Sequence, residues 1–379
     1  MKVLLNLLFL VPGETGGLET YARGLLPEVV RAANSSDEFI AVISADARDT
    51  DLLTGNPSIR AIELPVRSRR REQWLLAEQM LLPWIVRREA PDVVHNLTST
   101  GPVVGRVPMV TTTHDLAYHT APDAAAGIKG RVMRAIAPRV AQQSRVVITV
   151  SEYSREQLVD LADIDPEQVV VIPNGVDDPI DPGDTAVFEA RTRMTLVDRR
   201  VALFPGAFRP YKNAASLLRA IATIPRAIRP VAVLTGHGPE CESELRLLVD
   251  ELGIGADVRF AGWVDQWEME CLYRISDVVV FPSLHEGFGL PVAEAMARGV
   301  PVACSNTTSL PEVGGDSPRY FDPLRVEEIA ASITETLVDS DLRAMMIARG
   351  LERARRYSWE RAGAETYTCY RRAVGEFSG

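Results

Sequence analysis

The residues with the plainest chemical potential lie in SLHEGFGLPVAEAMARG, positions 283–299. Glu286 and Glu294 stand there with seven residues between them, around a Gly-Phe-Gly turn and Pro291. A loop that only turned would need no second acid. A helix that only needed a cap would more readily begin with Ser, Thr or Asp. Pro291 suits the first turn of a helix, where a missing N–H costs nothing. The backbone N–H groups of Gly287, Phe288, Gly289 and Leu290 then fall at a helix N-terminus, where free donors and the dipole favour an anion. The glycines let that backbone come close to a ligand. Two carboxylates beside a phosphate would repel it, so their own partners should be hydroxyl groups. A phosphate with sugar hydroxyls on both sides satisfies the whole set, which describes a sugar nucleotide, with Glu294 toward the ribose and Glu286 toward the second sugar. Taken alone, a glutamate pair would more readily be a cap and a solvated helix residue; the complete string is more specific.

A second cluster, RPYKN, places Arg209 and Lys212 in one loop. Fixed cations stabilise a departing diphosphate more in the transition state than in the ground state. Rival chemistries find less support. No G-x-G-x-x-G follows the first strand and no G-x-x-x-x-G-K-[ST] occurs, so neither a dinucleotide fingerprint nor a P-loop is expected. Asp163-Ile-Asp165 has the form of a metal-binding acidic pair but precedes Pro166 and reads as a turn. The five histidines lack metal-ligand spacing, and Cys241, Cys271, Cys304 and Cys369 are scattered. No metal and no cofactor are expected.

These residues need a frame. The chain has 379 residues, 46% hydrophobic and 24% charged, which suits two globular domains. Its net charge of −10 argues against nucleic acid as a partner. The opening MKVLLNLLFLVPG is too short, and broken by Asn6, to read as a signal peptide, and no apolar stretch would span a bilayer. A cytoplasmic protein is expected. The run RSRRRE at 67–72, with Arg87 and Arg88, would suit a solvated face or a peripheral contact with anionic lipid.

Short β-branched runs alternate with helical segments, as in parallel α/β layers. Strands are expected at KVLLNLLFL, EFIAVIS, RAIELP, DVVHNL, PMVTTTH, RVVITV and QVVVIPN. After a linker at 174–184, a second series runs VALFPG, VAVLTG, DVRFAGWV, DVVVFPS, PVACS and RYFD. A helix should follow the first strand at ETYARGLLPEVVRAA, and another should open at Ser151. The expected fold is α/β, two doubly wound Rossmann-like domains facing a cleft, with ligands beyond the carboxyl ends of the strands. The glycine loops PGETGG, FPGAF, TGHGPE and SLHEGFG all sit at such ends.

The string around Glu286 and Glu294 closely resembles the Glu-x7-Glu motif of retaining glycosyltransferases with the GT-B fold, in particular glycosyltransferase family 4. The resemblance extends over nearly the whole chain. GGLETYARGLL resembles the family's first glycine loop and helix, which implies that Gly16 and Gly17 approach the donor phosphates. TTTHDL resembles its His-Asp segment, which implies that His114 contacts the transferred sugar. VSEYSREQL and VIPNGVD resemble the segments that close the first domain. PGAFRPYKN, TGHGPE, FAGWV and CLYRISDVVVFPS follow the order of the second domain. YSWERAGAETYTCYRRA resembles a last helix that returns to the first.

The implied domains are 1–178 on the acceptor side, 179–357 binding the nucleotide sugar, and the helix 358–379. By the same resemblance Val264 reads the base edge through its backbone; the plainer alternative is a core strand end with Trp263 packed beneath, and the two are compatible. The resemblance also implies transfer with retention by front-side attack, so no nucleophile is assigned. Many family members carry arginine next to the lysine, where this chain has Tyr211. THDL is similar to mannosyl- and rhamnosyl-type members, which implies a GDP- or UDP-linked hexose. The acceptor would be a glycan, a lipid-linked sugar or a small molecule, chosen by loops such as 67–72 and 118–130. A sugar-nucleotide epimerase and a non-catalytic protein of this fold are the alternatives.

Overall fold

Strands buried on both faces of a parallel sheet read as apolar runs, and such runs, with a few more polar ones at or near the sheet edges, form thirteen strands among the described residues. The computed structural model describes residues 1–48, 50–117 and 127–375. The chain divides into two compact units, residues 1–175 with 358–379, and residues 176–357.

The first unit holds β1 (Lys2–Leu7), β2 (Glu38–Ser44), β3 (Ile59–Leu64), β4 (Val93–Asn96), β5 (Met109–Thr113), β6 (Val146–Thr149) and β7 (Val169–Val171). They form one parallel sheet in the order β3-β2-β1-β4-β5-β6-β7. Register runs from Lys2 opposite Glu38 and from Val3 opposite Val93. The order reverses between β1 and β4, which is where doubly wound sheets bind ligands. Helix Gly17–Ala32 follows β1 and buries Tyr21, Ala22, Leu25, Leu26 and Val29. Helix Glu152–Ala162 opens at Ser151, whose hydroxyl accepts from the Ser154 N–H at 3.1 Å.

The C-terminal helix Trp359–Ala373 packs in this unit against Gly17–Ala32. The approach is close because Gly24 has no side chain: a Cβ there would lie 2.1 Å from the Trp359 ring. Asp163 and Asp165 serve as turn residues. Asp163 closes a helix in the left-handed conformation, and the Asp165 carboxylate accepts from the Glu167 N–H at 2.9 Å.

The second unit holds β8 (Val201–Phe204), β9 (Val231–Thr235), β10 (Val258–Gly262), β11 (Val278–Phe281), β12 (Val302–Ser305) and β13 (Arg319–Phe321). Their order is β10-β9-β8-β11-β12-β13, all parallel, with the reversal between β8 and β11. A core of Phe204, Phe208, Leu217, Leu218, Ile221, Val280, Phe321, Ile329 and Ile333 fills one face. Trp263 does not take the alternative place, packed beneath the end of β10. It is 61% exposed, because the backbone turns at Gly262 (φ 70°) before Asp265 opens the next helix.

Candidate active site

In the second unit the loops after β8, β11 and β12 meet at the reversal point of the sheet. The loop after β8 carries a short 3-10 turn, Pro210–Lys212, and then helix Ala214–Thr223. Asn213, at the junction, donates its side-chain amide to the carbonyls of Pro282 (3.1 Å) and Pro323 (2.9 Å). The Leu284 N–H donates to the Tyr211 carbonyl at 2.7 Å, so the β8 and β11 loops are joined through the backbone. From this junction Lys212 Nζ reaches Glu286 Oε1 at 2.6 Å, with both side chains largely buried. Its ammonium also lies 5.1 Å from the Phe281 ring centre and 5.4 Å from that of Tyr211, distances that favour a cation.

The Gly-Phe-Gly turn is held from the β12 side. The buried Ser309 hydroxyl lies 3.0 Å from the carbonyls of both Glu286 and Phe288, and the Glu286 N–H donates to Thr308 Oγ1 at 3.3 Å. Gly289 precedes helix Leu290–Ala297 with φ 99°, and a Cβ there would meet Leu310 at 2.4 Å. Only glycine fits. With Pro291 in the first turn and no side-chain cap, the helix start presents backbone donors. Phe288 is buried with its ring edge-on to Tyr357 at 5.3 Å, so it contributes backbone alone.

Glu294 lies on this helix, and its Oε2 accepts from the Tyr273 hydroxyl at 2.8 Å. No described residue hydrogen-bonds its Oε1. Arg298, one turn further on, stacks 5.1 Å over the Tyr273 ring and forms a double hydrogen bond with Glu270, 2.8 Å from Nε to Oε2. Burial pushes the Glu294 carboxyl above the usual carboxylate range, against the pull of the Tyr273 hydroxyl and Arg298. Burial and then the Glu294 charge push the Tyr273 phenol well above its ordinary value, so it stays a donor. Tyr273, Arg298 and Glu270 were not singled out in the sequence. Their one signal is position: Tyr273 lies on helix Gln266–Ile275, just before the buried strand that leads to Glu286.

Arg209 is exposed, and its side chain makes no hydrogen bond or ion pair among the described residues. Lys212 and Glu286 are thus brought together, and Arg209 is not joined to them by any bond. Val264 follows β10 and is half-buried. Nearby, Gly236 (φ 111°) would place a Cβ 2.1 Å from the Gly206 carbonyl, so the glycine loops after β8 and β9 pack backbone to backbone.

The first unit carries Gly16, Gly17 and His114. Gly16 (φ 58°) starts the long helix without a side-chain cap, and open space surrounds it. His114 follows β5. Its Nε2 lies 3.2 Å from the Leu97 carbonyl, which can only accept, so Nε2 carries the proton. Tyr21 packs edge-on to the imidazole at 4.5 Å. Burial lowers the His114 pKa, against its bond to Leu97 and the Asp115 charge, and the neutral ring keeps Nδ1 as an acceptor.

Beneath it His95 is fully buried between the Tyr370 hydroxyl (2.7 Å) and Thr112 Oγ1 (2.8 Å). Thr112 also lies 3.1 Å from the Tyr21 hydroxyl. This polar chain links the C-terminal helix to the wall behind His114. Residues 118–126 of the loop expected to choose the acceptor lie outside the described residues. Among the described residues no group of three His, Cys, Asp or Glu could hold a metal ion.

A family profile described as Glycosyltransferase Family 4 matches residues 15–178, and one described as Glycosyl transferases group 1 matches residues 190–353. The O-antigen chain mannosyltransferase B of Escherichia coli is 32% identical over 265 residues, 69% of this chain and 70% of that protein. The MMP alpha-(1->4)-mannosyltransferase of Mycolicibacterium hassiacum is 32% identical over 241 residues, 62% of this chain and 56% of that protein. Among solved structures, a sucrose-phosphate synthase from Thermosynechococcus elongatus superposes with TM-score 0.82 at 21% identity over 100% of both chains. Anabaena HepE in complex with UDP and glucose superposes with TM-score 0.76 at 20% identity, over 97% of this chain and 98% of that one. The two sheets, the motif built around Glu286 and Glu294, and these matches lead to one conclusion: the chain belongs to glycosyltransferase family 4 and has the GT-B fold.

Proposed function

We propose that the protein is a retaining hexosyltransferase that uses a nucleotide-diphosphate sugar, GDP- or UDP-linked with mannose the first candidate, and needs no metal. The observation that carries this reading is the Lys212–Glu286 pair, set against the glycine-lined start of the helix that bears Glu294. Two relatives named as mannosyltransferases support mannose, and the HepE complex with UDP and glucose supports a UDP-linked hexose.

In this reading the helix start and Lys212 hold the diphosphate, with Arg209 as a second cation. Gly16 and Gly17 approach the phosphates from the first domain. Glu294 Oε1 accepts from the ribose, while Tyr273 holds Oε2. Val264 meets the base through its backbone. Glu286 and the neutral Nδ1 of His114 accept from hydroxyls of the hexose. The acceptor hydroxyl attacks the anomeric carbon on the face the diphosphate leaves. The C1–O bond to the β-phosphate breaks, and the acceptor's proton passes to the departing phosphate oxygen. The acceptor is a glycan, a lipid-linked sugar or a small molecule.

The test is incubation with GDP-mannose, UDP-glucose and other donors, with and without EDTA, and product analysis by mass spectrometry and anomeric NMR. Free epimer as the sole product, or inversion at the anomeric carbon, would contradict the reading.

A further inference from the structure

Helices Arg71–Met80 and Leu82–Glu89 run almost without a break through Leu81, whose N–H donates to the Ala77 carbonyl and whose own carbonyl accepts from Ile85. Ala77, Leu82, Ile85 and Val86 face inward, against Leu4, Leu8, Val42 and Val94. The outward face ought to be polar. Instead Leu76 (58% exposed), Met80 (69%) and Trp84 (58%) follow one another at four-residue spacing along it. The loop after β4 is tied to this helix by Gln79, which donates to the Gly101 carbonyl at 2.7 Å and accepts from the Val103 N–H at 3.0 Å. Val104, next in that loop, is 80% exposed. Contiguous exposed apolar side chains of this size mark an interaction surface.

The charges around the stripe have one dominant sign. Arg67, Arg70, Arg87 and Arg106 are exposed, and their side chains make no ion pair or hydrogen bond among the described residues. Arg88 stacks 4.9 Å over the Trp84 ring and pairs with Glu89. Glu72 is the acid left exposed on these two helices. A chain of net charge −10 has therefore gathered free arginines around its exposed apolar stripe. A second copy meeting this face with the same face would set arginine against arginine. An anionic bilayer meets both features at once: the interface takes Trp, Leu and Met side chains, and phosphate headgroups take the arginines.

We propose that this face of the first unit docks on an anionic phospholipid membrane, with Leu76, Met80 and Trp84 entering the interface. Docking needs no donor, so its test is independent of the sugar-transfer reading. The full chain is sedimented with sucrose-loaded vesicles of phosphatidylcholine, alone or mixed with phosphatidylglycerol. Anionic lipid should raise the bound fraction about tenfold at low salt, and added salt should reverse the gain. The triple variant Leu76→Ser, Met80→Ser, Trp84→Ser should bind the mixed vesicles about tenfold more weakly. The variant Arg70→Gln, Arg87→Gln, Arg106→Gln should bind them no better than neutral ones. Leu247→Ser, at a 70% exposed leucine of the second unit, should match wild type.

Brominated lipid should quench the tryptophan emission of the otherwise unaltered protein, and Trp84→Phe should remove that quenching, which keeps the test valid if the triple variant fails to fold. No binding to mixed vesicles, equal binding by wild type and folded stripe variants, or a dimer that the stripe variants dissolve would each overturn the proposal.

Discussion

Lys212 Nζ and Glu286 Oε1 stand 2.6 Å apart across two loops that leave neighbouring strands, with 16% and 11% of their side chains exposed. Two groups assigned to different parts of the donor thus hold each other. Breaking one partner of such a pair strands the other charge, whereas replacing both with neutral groups can be close to neutral for stability. Lys212→Ala should cost up to about 3 kcal/mol of stability and about a hundredfold in kcat. The double variant Lys212→Met, Glu286→Gln should regain most of the stability and none of the turnover. Urea unfolding and initial rates on the same samples read the two effects. A double variant that regains both would leave the pair a structural role only.

Arg209 is exposed where Lys212 is enclosed, and that difference sets their ranking. Arg209→Ala should lower kcat less than Lys212→Ala, and neither should raise the donor Kd as much as it lowers kcat. Equal losses would require Arg209 to swing onto the diphosphate when the donor binds.

The Tyr273–Glu294 bond yields a pH prediction. Burial raises the folded-state pKa of Glu294 above its unfolded value. The native protein therefore holds that proton more tightly, and ionising the carboxyl costs stability as pH rises through the window between the two values. The proposed ribose contact needs the ionised form, so nucleotide affinity should rise through the folded-state pKa, above the ordinary carboxylate range. Glu294→Gln should remove that rise. Tyr273→Phe should weaken binding of the free nucleotide diphosphate and shift the midpoint, which a residue that merely packs would leave in place. Calorimetric titration across pH checks both.

His95 gives the opposite sign. Burial, with a smaller contribution from His114, lowers its pKa to about 3, so only the unfolded chain takes up its proton between the ordinary histidine range and that value. The stability His95 contributes is full above about pH 6.5 and falls below it, by about 2 kcal/mol at pH 5. Urea midpoints at pH 7 and pH 5 should converge in His95→Gln relative to wild type. An unchanged difference would mean that other groups carry the acid sensitivity.

The thirteen strands of the described residues were legible as short β-branched or apolar runs between helical segments, most plainly β1, β2, β8, β9 and β11, which are almost wholly buried. Their ends were less so: the first run reads on to Leu10, but pairing stops at Leu7, where the Leu10 N–H turns back to the Leu7 carbonyl. The motif around Glu286 was legible as chemistry because it is local, within one turn and one helix. Tyr273 and Glu270 were not, since they reach Glu294 and Arg298 only through the packing of separate helices. The placement of Trp263 is open in the sequence between a buried strand end and the functional reading, and nothing in the local sequence announces that the chain turns it outward.

Removing metal should leave turnover intact, since a helix start and cations, rather than a metal, are assigned to the diphosphate. Initial rates before and after EDTA treatment check this. Full loss with EDTA, restored by Mn²⁺ or Mg²⁺, would contradict the assignment.

The most direct measurement of the central claim is calorimetric binding of GDP and UDP, each with and without its sugar, to wild type, Glu294→Ala and Glu286→Ala. Glu294→Ala should lose affinity about equally for the nucleotide and the nucleotide sugar, because its assigned partner is the ribose. Glu286→Ala should bind the bare nucleotide as wild type does, and lose only the affinity that the sugar adds. The reverse pattern, or no effect of either variant on the nucleotide sugar, would contradict a donor held between these two glutamates.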